Sequence, residues 1–203
     1  NKLRKTTSTL YSSETDLDDA TFKQVIGVCN QLKEYPIYFV DSPTTSMQVQ
    51  DIIYNFYNEH VKGTGKYFVI LYDHSLLTKP IGSVLETIAE LQRVFIQVKK
   101  LPLTSVIQIT QMNRNIEASE RINNPLMHYP MRSDFSSSDA IFQGSDYVMA
   151  VHRPEILNIQ EYGPNHLPVQ NKVYIHILKN RDAGKPCILE FENDLMYNNL
   201  VEC

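Results

Sequence analysis

The chain has 203 residues, of which 42% are apolar and 21% charged, so it can bury one core and is neither a disordered nor a collagen-like polymer. Nineteen Lys and Arg stand against 23 Asp and Glu, a formal net charge of −4, which excludes attachment to nucleic acid by bulk charge and confines any such site to a local patch. No apolar run approaches the roughly 20 residues of a membrane helix and no segment reads as a signal peptide, so a soluble, cytoplasmic setting is expected.

Residues 1–16 are polar and aperiodic, an exposed lead into the first helix. From there Phe22, Val25, Ile26, Cys29 and Leu32 fall at helical spacing behind Asp16 or Asp18 as N-cap, and Pro36 ends the helix. Residues 37–40 (IYFV) read as a strand broken by Asp41, and Ser46 as the cap of a second helix with Val49, Ile52, Ile53, Phe56 and Tyr57 on its buried stripe. The uninterrupted apolar run 67–72, closing on Asp73, suits a strand covered on both faces, hence a parallel sheet. Ser83 and Glu86 form a capping box ahead of a third helix carrying Leu85, Ile88, Leu91, Phe95 and Val98 and ending at Lys99. Residues 105–110 are the next strand. The polar stretch 111–138 is too long for an ordinary connection and reads as a functional loop, expected to be mobile without a ligand. Residues 147–151, 173–178 and 187–191 complete the strands. The rhythm predicts one α/β domain over residues 1–203 with a mostly parallel sheet and a β-rich C-terminal end.

Gly63-Thr64-Gly65-Lys66 invites a phosphate-loop reading, but His60 stands where the first glycine belongs, Tyr67 follows the lysine, and the segment enters a strand instead of leaving one; it reads as a turn. Asp73, at the carboxyl end of a buried strand, lies where open α/β sheets bind ligands and has the chemistry to hold Mg²⁺ or its waters; a loop-capping aspartate is the alternative. Gln111, past the next strand, could sense a terminal phosphate or cap its strand. Lys179 and Arg181, two apart at a strand end, point to one side and could neutralise phosphate, or form a solvated hairpin end. The six histidines show no HExxH or HxH spacing, which argues against zinc. Cys29, Cys187 and Cys203 are isolated, read as two packed thiols and a tail, and no GxSxG elbow supports a hydrolase.

Taken together, these positions resemble the C-terminal, RecA-like ATPase domain of DnaB-type hexameric replicative helicases. NKLR at 1–4, the helix after it and YPIYFVD at 35–41 resemble that family's "N-[RK]-[VL]-R" stretch, helix and "APIYIDDTP" strand. FVILYDH at 68–74 resembles its Walker B strand in the phage-like variant ending Asp-His. IQITQMNR at 107–114 resembles "ALSQLNR", the most specific single match. PMRSDF at 130–135, SSSDAIFQGSD at 136–146, VHRPE at 151–155 and LKNRDAG at 178–184 continue the family's motifs in order and spacing.

The resemblance implies ATP and Mg as cofactors, Asp73 holding Mg through water, Gln111 relaying γ-phosphate status, and Lys179 with Arg181 reaching a neighbouring subunit's nucleotide. It implies contact of single-stranded DNA with Arg132, Ser136, Ser137 and Asp139, a homo-hexamer in the complete protein, a primase or helicase loader as partner, and a bacterial or phage-infected cell. Two departures qualify it. The family's Walker A loop and catalytic glutamate lie ahead of residue 1, so this chain alone is expected not to hydrolyse ATP; a piece of a longer helicase and a naturally split phage protein both fit. The family's Arg-Glu in the DNA loop appears as Ser136-Ser137, which reduces the charge-driven part of DNA binding. A non-catalytic RecA-fold module that binds DNA or helicase subunits is the rival from another class, and a recombinase or circadian-clock type ATPase a third reading. A Gly-x-x-x-x-Gly-Lys-[ST] motif encoded ahead of Asn1 separates the helicase from the module.

Overall fold

The structure, a computed structural model, describes residues 5–11, 16–42, 44–135, 138–182 and 184–203. α1 (Thr7–Tyr11) is followed by α2 (Asp19–Lys33), which starts where the Asp18 carboxylate accepts the Thr21 N–H at 2.9 Å; this selects Asp18 over Asp16 as the cap. The apolar stripe of α2 is uncovered: Phe22, Ile26 and Leu32 are exposed. Residues 37–40, expected as a strand, are extended but join no ladder among the described residues, and Ile37, Tyr38, Phe39 and Val40 are all exposed. A strand holds only through cross-strand hydrogen bonds, and this one has no partner edge among those residues.

α3 (Ser46–Phe56) is capped by Thr45, not Ser46: Thr45 Oγ1 accepts the Gln48 N–H at 3.3 Å while Gln48 Oε1 accepts the Thr45 N–H at 2.9 Å. β1 (Phe68–Tyr72), α4 (Val84–Val98) and β2 (Thr104–Gln108) form a βαβ unit whose strands are parallel, Phe68 opposite Thr104 through Tyr72 opposite Gln108. The expected Ser83–Glu86 capping box starts α4. Val49 and Ile53 of α3 and Leu91, Val94, Phe95 and Val98 of α4 form the main core against Phe68, Ile70, Tyr72 and Val106. Leu85, expected on that stripe, is exposed, as are Val69, Leu71 and Ile107 on the other face of the strands. Described helices therefore cover one face of this pair where cover on both was expected.

The stretch 111–138 reads as mobile from sequence, yet its described part, residues 111–135, forms an anchored run of short turns around α5 (Ser119–Ile122). The Arg121 guanidinium pairs with the Asp134 carboxylate with both side chains almost fully buried, and donates to the carbonyls of Met127 at 3.0 Å and Tyr129 at 2.9 Å. A polar sequence reads as loose when the partners of its charges, here 13 residues apart, are invisible.

α6 (Ser138–Gly144) leads into an antiparallel sheet of order β3 (Tyr147–His152), β4 (Lys172–Asn180), β5 (Cys187–Asp194) and β6 (Asn199–Glu202). The described sheets are thus one parallel pair and one antiparallel set of four, a mixed arrangement; β6, only four residues long, carries too little alternation to be read from sequence. The packed thiols expected of Cys29 and Cys187 are exposed, as is Cys203.

Between the turns after β3 and the sheet, the Tyr162 hydroxyl lies 2.7 Å from His152 Nδ1 and 2.7 Å from His176 Nε2. Burial pushes both imidazoles down to about 4, with the Arg121 charge adding to the effect on His152. Unfolded, each titrates near 6.5, so between pH 6.5 and pH 4 the unfolded chain binds more protons and stability falls on acidification by up to about 3 kcal/mol per histidine. The melting temperature is expected to drop between pH 7 and pH 5, and the drop to shrink in His176→Gln; an unchanged melting temperature across that window contradicts the neutral cluster.

Candidate functional site

Because β1 and β2 are parallel, the residues following each emerge at one edge of the sheet. Asp73 directly follows β1 and Gln111 lies three residues past β2. The two connections are tied together: Ile109 N–H donates to Tyr72 O at 2.9 Å, and Ser75 donates to Ile109 O through its N–H at 3.1 Å and its hydroxyl at 3.0 Å. Both Asp73 and Gln111 are exposed. Among the described residues Asp73 makes no hydrogen bond or ion pair, so its carboxylate is free for a hard cation. Beside it, His74 Nδ1 and Thr110 Oγ1 are buried without a hydrogen-bond partner among the described residues, a cost that a bound ligand or water would remove. Gln111 opens onto a cavity of about 410 Å³ shared with Asn113, Arg114, Val151, His152 and Arg153.

Gly63 and Gly65 have positive φ, 78° and 70°, and Lys66 precedes β1. The segment therefore lies at the sheet edge opposite Asp73, as a turn ahead of a strand, in agreement with its reading from sequence.

Lys179 and Arg181 stand at and just past the end of β4 and converge, as their spacing predicts, on the C-terminal end of α6. Lys179 Nζ donates to the carbonyls of Phe142 and Gln143, the latter at 3.4 Å. Arg181 Nη2 donates to Gln143 O at 3.2 Å and its Nη1 pairs with Asp146 Oδ1 at 2.6 Å. Lys99, the residue capping α4, joins them, its Nζ 2.8 Å from Asp146 and 3.2 Å from Gly144 O. Hydrogen bonding from Lys99 holds the Asp146 carboxyl below its usual range, helped by the charges of Lys99, Arg181 and Lys179, while burial and the neighbouring Arg181 lower Lys179. Neither Lys99 nor Asp146 reads as a site residue from sequence; Asp146 closes the motif at 136–146, but its partners come from separate elements.

This cluster lies beyond the N-terminal ends of β2 and β3, since Lys99 precedes β2 and Asp146 precedes β3. Asp73 and Gln111 lie beyond the C-terminal ends of β1 and β2. The strands between them rise roughly 16 Å at about 3.3 Å per residue. One chain therefore presents the two sets of groups on opposite edges.

Of the residues read as contacting DNA, Arg132 and Asp139 form an exposed ion pair at 2.6 Å at the start of α6. Ser136 and Ser137 lie outside the described residues. The Arg132 guanidinium also sits over the Phe142 ring, 4.9 Å from its centroid.

The family model described as the DnaB-like helicase C terminal domain matches residues 4–197. A solved DnaB-like replicative helicase, described with its interactions with primase, shares the fold at TM-score 0.76 and 18% identity over 97% of this chain and 44% of its own. A second solved structure, described as an ATPase domain, does so at TM-score 0.76 and 19% identity over 98% of this chain and 66% of its own. No curated protein matches. The chain thus spans less than half of the first of these structures, with which it shares the RecA-like arrangement of helices and strands, and with residues 4–197 matched by that model it belongs to the DnaB-like helicase C-terminal domain family.

Proposed function

We propose that the chain is the greater part of the ATPase core of a replicative DNA helicase, which draws single-stranded DNA through a ring of identical subunits by cycling through ATP states. The observation that carries this reading is the separation of Asp73 and Gln111 from Lys179 and Arg181 on opposite edges of the strands. Cations that cannot reach their own chain's Asp73 fit a nucleotide bound between two subunits, with Asp73 on one side and the cations of the neighbour on the other.

The residues present fit Mg²⁺ and ATP in part. The Asp73 carboxylate, exposed and without a partner among the described residues, would hold the ion or its waters, and the ion would supply charge neutralisation at the β- and γ-phosphates. Gln111 would hydrogen-bond the γ-phosphate region and pass its presence to the turns that follow. The described residues offer no phosphate cradle on this edge, so residues 1–203 alone would turn over ATP at background. The uncovered apolar face of Val69, Leu71 and Ile107 is in keeping with a further element packing there. Single-stranded DNA would pass Arg132 and Asp139, and a primase is the partner in keeping with the solved DnaB-like helicase described with one.

In a complete, ring-forming protein carrying this segment, Asp73→Asn is expected to lower kcat for ATP by about 10²–10³, with the melting temperature unchanged, because the side chain has no structural partner to lose among the described residues. Wild-type turnover in Asp73→Asn overturns the assignment.

A further inference from the structure

The cations assigned to a neighbour's nucleotide are not free in this chain. Lys179 and Arg181 spend their donors on the last carbonyls of α6, and Arg181 is also held by Asp146. The C-terminal carbonyls of any helix lack intrahelical donors and carry its negative dipole end, so three cations at one such end are bound by a real electrostatic well. The well is nonetheless incomplete: Lys99 and Arg181 pair with the single carboxylate of Asp146, and Lys179 feels only its charge. Like charges gathered around one anion favour a second anion, which the arrangement leaves room for because Arg181 is half exposed.

The other end of the same short helix carries the residues read as facing DNA. α6 has seven residues, about 10 Å of helix at 1.5 Å per residue. At its start Asp139 pairs with Arg132. The Phe142 ring, one turn on, lies between that pair and the other end, with Arg132 4.9 Å from its centroid and Lys179 Nζ 5.4 Å from it. A displacement of the first turn of α6 therefore moves the acceptors that hold Lys179 and Arg181.

We propose that α6 is a latch and Asp146 its positioning residue: without DNA, Asp146 and the carbonyls of Phe142 and Gln143 hold Arg181 and Lys179 in a resting position, and DNA bearing on the start of α6 releases them toward the phosphates of the adjacent subunit. This rests on the trans-acting reading of the two cations and on the proposed passage of DNA at Arg132 and Asp139, and adds to them how the reach of the cations is controlled. Lys99 competes with Arg181 for Asp146 and so weakens the hold. The two neighbours of one carboxylate then have opposite effects on release, a sign that a purely structural ion-pair cluster does not generate.

The test uses the complete ring-forming helicase and measures steady-state ATP turnover with and without saturating oligothymidylate, with ring assembly verified. Asp146→Asn removes the charge and keeps the shape; its DNA-free turnover is expected to rise roughly three- to tenfold, the scale of one partly exposed charge-assisted hydrogen bond, while the DNA-saturated rate stays at the wild-type value. Lys99→Gln leaves Asp146 to Arg181 and is expected to lower the DNA-free rate with the DNA-saturated rate again retained. If either variant fails to assemble, the other carries the sign. Proportional loss of both rates in the assembled variants, or no change in either, overturns the latch. Arg181→Ala separates the two layers: full turnover in that variant sinks the trans-acting reading itself, whereas its loss together with proportional effects at Asp146 and Lys99 leaves that reading standing and removes only the latch.

Discussion

Arg181→Ala in a complete helicase carrying this segment is expected to lower ATP hydrolysis by about 10³–10⁵, the range by which removing a trans-acting arginine slows phosphoryl transfer, with nucleotide binding and folding retained. The structure gives the reason for the second half of that expectation. Arg181 is half exposed, its hydrogen bonds go to one helix-terminal carbonyl and to Asp146, and Lys99 and Lys179 remain to cap the same groups when it is gone. An ordinary surface charge in that position changes stability by less than about 0.5 kcal/mol. Nucleotide affinity, turnover with single-stranded DNA and a thermal melt on one preparation separate the possibilities. Turnover within a few-fold of wild type contradicts the role, and loss of folding contradicts the account of its contacts.

The largest expected effect on stability lies at Arg121. Its guanidinium faces Asp134 with both side chains almost fully buried, and Asp134 in turn accepts the Met131 N–H at 2.7 Å. Removing one member leaves the other charged and unpaired in the interior, so Arg121→Ala is expected to cost about 3–5 kcal/mol. For a chain of this size that is a fall in melting temperature of about 6–20 °C. The pair joins α5 to the segment that leads into α6, and Arg121 also holds the carbonyls of the turns between them, so its loss also frees residues 113–135. Hydrogen exchange in those residues should rise to the level of exposed loops in Arg121→Ala. Replacing both partners together, Arg121→Met with Asp134→Leu, should recover most of the melting temperature, because the penalty comes from an orphaned charge and not from the absence of a bond. An equal loss in the single and double variants contradicts that explanation.

Local signals carry the first half of the chain well. The capping box at Ser83, the core stripe of α4 and the two strands, read at 67–72 and 105–110 and found at Phe68–Tyr72 and Thr104–Gln108, follow from spacing and composition over a few residues. Failures come where the outcome depends on a distant partner. The apolar tetrad at 37–40 has strand composition and, among the described residues, no edge to pair with. Residues 111–135 look loose because Arg121 and Asp134, His128 and the carbonyl of Ile122, and Asn113 and the carbonyl of Ser133 find each other only in three dimensions. Capping by Thr45 instead of Ser46 is the one-residue uncertainty that two adjacent hydroxyl residues create. The placement of the candidate residues Asp73, Gln111, Lys179 and Arg181 at or near strand ends is legible, because side-chain direction there follows from backbone period. Asp146 and Lys99 are not, since their meaning lies in the carbonyls and cations brought to them by α4, α6 and β4.

The placement of Asp73 and Arg181 on opposite edges is tested most directly by mixing subunits. In the complete helicase, Asp73→Asn rings and Arg181→Ala rings are each expected to be inactive, but when the two are dissociated and reassembled together some interfaces pair an intact Asp73 with an intact Arg181. Single-turnover ATP hydrolysis in the mixed rings should rise well above that of either parent. Mixed rings no more active than the parents would place both residues in one chain's own site and contradict the account.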